Sequence, residues 1–264
     1  MHSGISKQRA PVLCKFSAGR FARGPALCCS IFILCVPSAF AQSFPPEMGV
    51  SGADKKVEKT ISVRDLSIPR KAFDNFQRGL ERLKKRDAAG SITYFSKAIE
   101  KYPQYFEAYY HLGIAQQAVG QDEKAAASFQ SAVNLSGGKY AVAQYAYAMI
   151  LCRQGKIMEG ERILRYALDT DLSAYRAIGK AFLGHALLML NQPEEAERNA
   201  HEALLLNPRI SEAYLVLAAV HARQSDFPAM LQDIDAFLQF EPPGNRAEAV
   251  RRIRDAARNR TVPK

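Results

Sequence analysis

The chain has 264 residues, of which 48% are hydrophobic and 23% are charged. This balance is typical of a soluble globular or repeat protein. It excludes a wholly disordered chain, which would contain fewer hydrophobic residues. The formal net charge is +10. Much of this charge lies in the two ends of the chain, so the long middle region is close to neutral.

Residues 1–41 have the three parts of a secretory signal peptide. Basic residues between positions 7 and 23 precede an apolar run at 26–36, and Ala39-Phe40-Ala41 supplies an A-x-A cleavage site. A membrane span needs ~20 apolar residues, so a transmembrane anchor or an N-terminal core helix is the less favoured interpretation. We therefore expect an exported bacterial protein, periplasmic or extracellular, that begins at Gln42.

The remaining chain must fold without an internal disulfide. Four of the five cysteines lie in the leader, which leaves Cys152 alone. Cys152 follows Met149 on an apolar helical pattern, which favours a buried, inert thiol over a reactive one. Residues 42–66 are polar, contain Pro45-Pro46 and lack helical periodicity, so we predict a flexible linker.

Residues 67–244 repeat a pattern of small and large side chains. The period is 34 residues, which is the separation of Gly79 from Gly113. The clearest unit surrounds Gly113. There, Gly113 and Ala125 would let two antiparallel helices approach closely, and Phe129 would fill the space between them. Gly120 lies where the first helix must end and the chain must turn.

This spacing resembles the tetratricopeptide repeat (TPR), a helix–turn–helix unit of ~34 residues. The five units run over residues 72–105, 106–140, 141–176, 177–210 and 211–244. The resemblance implies an all-α, right-handed TPR solenoid. One hairpin cannot bury its apolar face alone, so each unit is expected to stack on its neighbours. The third unit lacks the usual closing proline, which leaves its exit turn uncertain.

By the same resemblance, the fifth and ninth residues of each unit face a concave groove. The candidates, called the inner row below, are Phe76, Leu80, Tyr110, Ile114, Tyr145, Met149, His185 and Leu215. The inner row lacks the lysine, asparagine and arginine with which some family members clamp a terminal carboxylate. We expect it to contact water in the free protein and to bind an apolar or amphipathic segment of a protein partner. Two alternatives remain, namely that Tyr110 and Tyr145 are core residues and that the linker fills the groove.

Residues 245–264 form one more amphipathic pattern, predicted to be a basic capping helix and tail. Val250, Ile253 and Ala257 share one face, which would cover the last repeat as a terminal cap must. The other face carries the cap arginines, which we expect to be solvated. The cap arginines are Arg251, Arg252, Arg254 and Arg258.

No arrangement of residues indicates catalysis, a metal or a cofactor. The histidines after the leader form no same-helix pair with the spacing of zinc ligands, and the chain has no phosphate loop or nucleophile elbow. We therefore predict a non-catalytic scaffold or adaptor. The alternative is an envelope-associated protein whose basic C-terminal helix rests on an anionic surface, which salt would weaken. Nucleic acid is disfavoured because the chain is expected to be exported and its basic residues lack interleaved aromatics.

Overall fold

A computed structural model describes residues 67–261 of the chain. The predicted signal peptide (1–41), the predicted linker (42–66) and the last three residues lie outside this range. Residues 67–261 contain eleven α-helices and no strand. In chain order the helices are α1 Arg70–Lys84, α2 Ala88–Lys101, α3 Phe106–Ala118, α4 Asp122–Leu135, α5 Ala141–Arg153, α6 Ile157–Thr170, α7 Arg176–Met189, α8 Pro193–Leu206, α9 Ser211–Gln224, α10 Phe227–Phe240 and α11 Asn245–Thr261.

The first ten helices form five hairpins that stack in chain order. Each odd-numbered helix packs on the even-numbered helix that follows it, and each even-numbered helix also packs on the next hairpin. Odd-numbered helices contact one another in the pairs α1–α3, α5–α7 and α7–α9, whereas the even-numbered helices of the described chain show no comparable contact. The odd-numbered helices are therefore the inner layer of a curved array. The prediction of an all-α solenoid of five repeats with a C-terminal capping helix is confirmed.

Every hairpin turns at the same place, the fifteenth residue of its repeat. The five residues there are Arg86, Gly120, Gly155, Asn191 and Ser225, and all have a positive φ between 60° and 83°. The residue after each turn donates its backbone N–H to the carbonyl five residues earlier, as in Gln121 to Gln116 at 2.9 Å. This bond satisfies one of the carbonyls that a helix end leaves unpaired.

Glycine marks the closest approach of the two helices in the first two repeats. A Cβ atom on Gly79 would lie 2.5 Å from the ring of Phe95, and one on Gly113 would lie 2.6 Å from the ring of Phe129. Both contacts join the eighth and twenty-fourth residues of a repeat. The predicted register of these two hairpins is therefore confirmed, because only a residue without a side chain leaves room for the ring.

We predict that Gly113→Leu lowers the free energy of unfolding by about 1–3 kcal/mol or more, because the added side chain must displace the buried ring of Phe129. Ala118→Leu is the matched control, since Ala118 is exposed at the end of the same helix. Chemical denaturation of both variants measures the difference. Equal stability of the two variants would contradict the register.

Candidate interaction surfaces

The structure places all eight members of the inner row on the five inner helices, as predicted, but it does not expose them. None of these side chains is more than 7% exposed. The expectation that Phe76, Leu80, Tyr110, Ile114, Tyr145, Met149, His185 and Leu215 contact water is therefore wrong. For Phe76, Tyr110 and Tyr145 the cause of the burial is visible in the structure, because their rings pack between neighbouring repeats.

Tyr145 shows this packing most clearly. Its ring lies against Gly179 of the next inner helix, where an added Cβ atom would collide with the ring. Its hydroxyl donates a hydrogen bond of 2.7 Å to Oδ2 of Asp171. Burial, followed by this bond to Asp171, raises the pKa of Tyr145 well above its ordinary value. Tyr145 therefore joins the third repeat to the fourth and is not a free anchor for a ligand.

The Tyr145–Asp171 pair also builds the exit turn of the third repeat, which lacks the usual proline. Oδ1 of Asp171 accepts the backbone N–H of Ser173 at 2.8 Å. Arg176 donates to the carbonyl oxygens of Asp171, at 2.9 Å, and of Leu168. Side-chain hydrogen bonds thus replace the stiffness that a proline would provide. Sequence reasoning missed this network because Tyr145 lies 26 residues before Asp171, and no repeated pattern connects the two.

Phe76 and Tyr110 belong to an aromatic cluster at the junction of the first two repeats. The ring centroid of Phe76 lies 4.9 Å from that of Tyr105 and 5.8 Å from that of Phe95. The ring of Tyr110 lies 5.4 Å from that of Tyr140, with the two planes nearly perpendicular. Such contacts add to the stabilisation from burial alone. These two members of the inner row therefore act as core residues in the described structure.

The cap arginines are only partly solvated. Arg258 forms an ion pair of 2.7 Å with Asp235 of α10, and Arg254 approaches the same carboxylate at 3.4 Å. Arg251 and Arg252 pair weakly with Glu248 on their own helix, at 3.9 and 3.8 Å. The prediction of a wholly free arginine face is therefore wrong for Arg254 and Arg258. Their partner lies on the last repeat, so they help to dock the capping helix.

Arg246 forms the most buried ion pair of the capping helix, and sequence reasoning missed it. Its guanidinium is 5% exposed and binds Glu212 of α9 with both Nη atoms, with one of these contacts at 2.8 Å. It also lies 3.5 Å from Glu241 and 5.1 Å from the ring centroid of Phe237. Glu241 in turn accepts a hydrogen bond of 2.8 Å from Ser211. This buried cluster fixes the start of α11 against the fifth repeat.

The apolar face of α11 agrees with the sequence pattern. Val250 and Ala257 are buried and Ile253 is partly buried. Their helix packs on α10, the outer helix of the fifth repeat. The capping helix therefore combines the predicted apolar contact with a buried ionic cluster and with two ion pairs at its rim.

Two family models match the sequence, and both are described as tetratricopeptide repeats. One covers residues 94–127 and the other covers residues 183–242. Both ranges lie within the hairpin array, and the first has the length of one repeat.

Residues 94–127 and 183–242 are therefore similar to tetratricopeptide repeats, and the hairpin array has the tetratricopeptide repeat (TPR) fold. Solved structures support the same fold for most of its length. The Pseudomonas aeruginosa pilF structure shares 20% identity with a TM-score of 0.57, and the matched region covers 72% of this chain and 85% of that one. PilW, described as a widely conserved type IV pilus biogenesis factor, shares 16% identity over 73% and 92% of the two chains with a TM-score of 0.60. A TPR protein of Thermus thermophilus shares 17% identity over 71% and 99%, again with a TM-score of 0.60.

At these identities the likeness is one of fold. No match was found among curated protein sequences. The TPR fold is a protein–protein interaction scaffold and is generally non-enzymatic.

Residues 67–261 were searched for a reactive thiol, a metal site and a membrane-spanning helix. Cys152 is 2% exposed, and burial raises the pKa of its thiol to about 12, so it is the inert thiol that the sequence predicted. Residues 67–261 contain no group of three or more histidine, cysteine, aspartate or glutamate side chains that is arranged to hold a metal ion. Among the helices of this same range, none has the length and hydropathy needed to cross a membrane.

One histidine of the TPR array is buried in an apolar site. His111 of α3 is fully buried, and its ring lies 5.4 Å from that of Phe76 and stacks on that of Phe95 at 5.7 Å. Neither ring nitrogen has a hydrogen-bond partner in the described structure. Burial lowers the pKa of His111 from 6.5 to about 3. His111 is therefore neutral at the seam between the first and second repeats.

We predict that His111 makes the TPR array sensitive to acid. Because its pKa is lower in the folded state than in the unfolded state, its contribution to stability is complete above pH 6.5 and is lost as the pH falls toward 3. At pH 5 the loss is about 2 kcal/mol. His111→Phe should remove this part of the pH dependence. Melting curves of both proteins at pH 7.5 and pH 5.0 measure it, and parallel losses of Tm would show that His111 is not responsible.

We predict that Arg246→Met destabilises the protein by about 3–5 kcal/mol, because it leaves Glu212 and Glu241 buried without their cation. Arg252→Gln is the matched control on the same helix, since Arg252 is 79% exposed, and it should have almost no effect. A triple variant that also carries Glu212→Gln and Glu241→Gln should recover part of the loss. Urea denaturation of the three variants tests the assignment, and a loss in Arg252→Gln as large as that in Arg246→Met would contradict it.

Proposed function

We propose that this TPR protein is a non-catalytic adaptor that holds an apolar or amphipathic segment of a protein partner against the inner layer of its array. The observation that carries the proposal is the apolar character of that layer in successive repeats. Ile114 and Met149 occupy the ninth position of the second and third repeats, and Val142 and Ile178 occupy the second position of the third and fourth. A helix or an extended chain can bind such a row through side-chain burial.

The inner layer presents few charges to such a segment. Glu212 is held by Arg246, and Arg153 is held by Asp122 at 2.6 Å. The inner row itself contains no charged residue. Seven of its eight members are apolar or aromatic, and the eighth is His185. Recognition should therefore depend on apolar contact, and it should tolerate salt. Ile114 and Met149 are 2% and 1% exposed, so a bound segment contacts them only after neighbouring side chains move.

An attachment of the capping helix to an anionic surface is the competing hypothesis. Asp235 neutralises part of the charge of Arg254 and Arg258, and Glu248 lies beside Arg251 and Arg252. This pairing reduces the positive field that the cap arginines could offer to headgroups or cell-wall polymers. We therefore favour the inner layer as the interaction surface.

Export of the protein remains part of the proposal. The basic, apolar and A-x-A segments of residues 1–41 support it. Mass spectrometry of the protein recovered from the native envelope should find Gln42 at the N-terminus. Recovery from the cytoplasm alone, with residues 1–41 retained, would contradict it.

The binding surface can be tested with a displayed library of short peptides selected against the full chain. We expect the selected peptides to be rich in apolar residues and to bind equally well in low and high salt. Met149→Gln combined with His185→Gln should weaken binding at least about tenfold, which corresponds to ~1.4 kcal/mol. Arg252→Gln is the control and should leave the affinity unchanged.

Melting curves must accompany these titrations, because Met149 is 1% exposed and His185 is 7% exposed. Weaker binding together with an unchanged Tm supports the inner layer. Acidic peptides whose binding falls steeply with salt and depends on Arg252 would instead support the anionic-surface hypothesis.

A further inference from the structure

Basic residues are concentrated in the first repeat of the array. Residues 67–105 contain nine lysine or arginine residues and four acidic residues, a net charge of +5. Repeats two to five, residues 106–244, contain eleven basic and sixteen acidic residues, a net charge of −5. The end of a repeat array must be polar to stay soluble, but solubility does not require one sign of charge. The excess of positive charge at this end therefore calls for a separate explanation.

Four of these basic residues lie along one stripe of α1. They are spaced by seven, four and three positions, which aligns their side chains on one side of an α-helix. The stripe is about 21 Å long, because a helix rises about 1.5 Å per residue. All four side chains are exposed. The four residues are Lys71, Arg78, Arg82 and Lys85.

The stripe faces away from the second repeat. Phe76 of α1 contacts His111 of α3, with the two ring centroids 5.4 Å apart. Arg78 and Lys85 follow Phe76 by two and nine positions, which places them on the opposite side of α1. The stripe therefore lies at the first-repeat end of the solenoid.

Helix α2 adds Tyr94 and Lys97 to the same end. The guanidinium carbon of Arg82 lies 5.9 Å from the centroid of the Tyr94 ring, and Nζ of Lys97 lies 5.6 Å from it. These cation–π contacts hold the two cations beside one aromatic ring. The terminal basic face is the name used below for Lys71, Arg78, Arg82, Lys85 and Lys97.

Most of the terminal basic face is not neutralised. Within residues 67–261, Arg82 is the only member that forms an ion pair, with Asp87 at 3.1 Å, and its side chain is 51% exposed. Asp74 and Glu81 lie on the neighbouring stripe of α1, and neither pairs with the face. The cap arginines, in contrast, all form ion pairs with carboxylates of α10 or α11. The face therefore keeps most of its positive charge for an external partner.

We propose that the terminal basic face docks the protein on an anionic lipid membrane, with the first repeat against the headgroups. Clusters of about four to eight basic residues on one helical surface are typical of proteins that bind anionic headgroups. The stripe is straight, so its charges can reach a flat surface together. Tyr94 suits the same place, because an apolar ring with a polar hydroxyl matches the membrane interface.

A lipid surface explains the terminal basic face better than an acidic protein segment does. Proteins that recognise acidic motifs use clustered arginines, which bind an acceptor through two parallel hydrogen bonds. Three of the five members are lysines, which act as point charges, and the face extends over two helices. Lipid headgroups can move toward each of these cations.

This attachment goes beyond the proposed function and does not depend on it. Phe76, a member of the inner row, lies on the side of α1 opposite to Arg78 and Lys85. A protein docked through the terminal basic face therefore turns its inner layer away from the lipid, where a partner segment can approach it.

Sedimentation of the full chain with vesicles tests the attachment. Vesicles of equal parts phosphatidylcholine and phosphatidylglycerol should bind it, and vesicles of phosphatidylcholine alone should bind it far less. The variant Lys71→Gln/Arg78→Gln/Lys85→Gln/Lys97→Gln should lose at least about twentyfold in affinity for the anionic vesicles, because each basic residue near such a surface contributes about fivefold. High salt should remove the same part of the binding.

The matched control removes four positive charges from exposed positions of repeats two to four. It is Lys124→Gln/Lys139→Gln/Arg162→Gln/Arg198→Gln, and it should bind the anionic vesicles like the unaltered chain. All three proteins carry residues 1–41, so any binding by that segment is common to them and is measured on the uncharged vesicles. An equal loss of affinity in both variants would show an effect of net charge alone and would overturn the proposal.

Photo-crosslinking locates the contact independently of affinity. With p-benzoylphenylalanine in place of Tyr94, light should join the protein to phosphatidylglycerol in the anionic vesicles. Tyr166, which is 61% exposed on the outer helix α6, is the matched position and should give no lipid adduct. Adducts at position 166 alone, or at neither position, would overturn the proposal. Binding of a poly-glutamate peptide that requires the four substituted residues, without binding to anionic vesicles, would assign the face to an acidic protein partner and would overturn it as well.

Discussion

The left-handed residue at the fifteenth position of each repeat is the constraint on which the array depends. Between this residue and its neighbours the chain reverses direction within three positions, and the second helix starts at a fixed rotation relative to the first. That rotation brings the eighth residue to face the twenty-fourth, as Gly113 faces Phe129. It also sets which side of each hairpin meets the next repeat. The inner layer, the burial of the inner row and the site for the capping helix all follow from this repeated turn.

The sequence predicted the parts of the structure that recur and missed those that occur once. Gly120 indicated its turn because glycine adopts a positive φ without steric cost. Arg86 and Ser225 adopt the same conformation, yet their side chains carry no such signal, and there the array imposes the turn on the residue. The Tyr145–Asp171 bond and the Arg246 cluster are single events between distant positions. The repeat pattern of the sequence cannot predict these two contacts, since neither has a counterpart in another repeat.

The candidate surface was harder to predict than the fold for a related reason. The fifth and ninth positions were located correctly on the inner helices, but position alone does not determine exposure. The exposure of a tyrosine at the fifth position depends on the residue that its ring contacts in the next repeat. For Tyr145 of the third repeat, that residue is Gly179. A larger residue at position 179 would collide with the ring of Tyr145, so the ring could not keep its present position. Whether such a side chain is core or surface therefore depends on the corresponding helix of the next repeat, and not on its own neighbours in sequence.

An inner layer that binds apolar segments faces a conflict between function and solubility. Exposed apolar patches of more than a few hundred Å² promote association, so a permanently open groove would be hazardous at high concentration. In residues 67–261 no member of the inner row is more than 7% exposed, so the layer is not an open apolar groove in the described structure. A partner segment reaches these side chains only if their neighbours move. The apparent affinity is then lower than the intrinsic affinity by the fraction of molecules in which the layer is open. The buried state thus protects the chain from association, and it does so by weakening the binding of every partner segment.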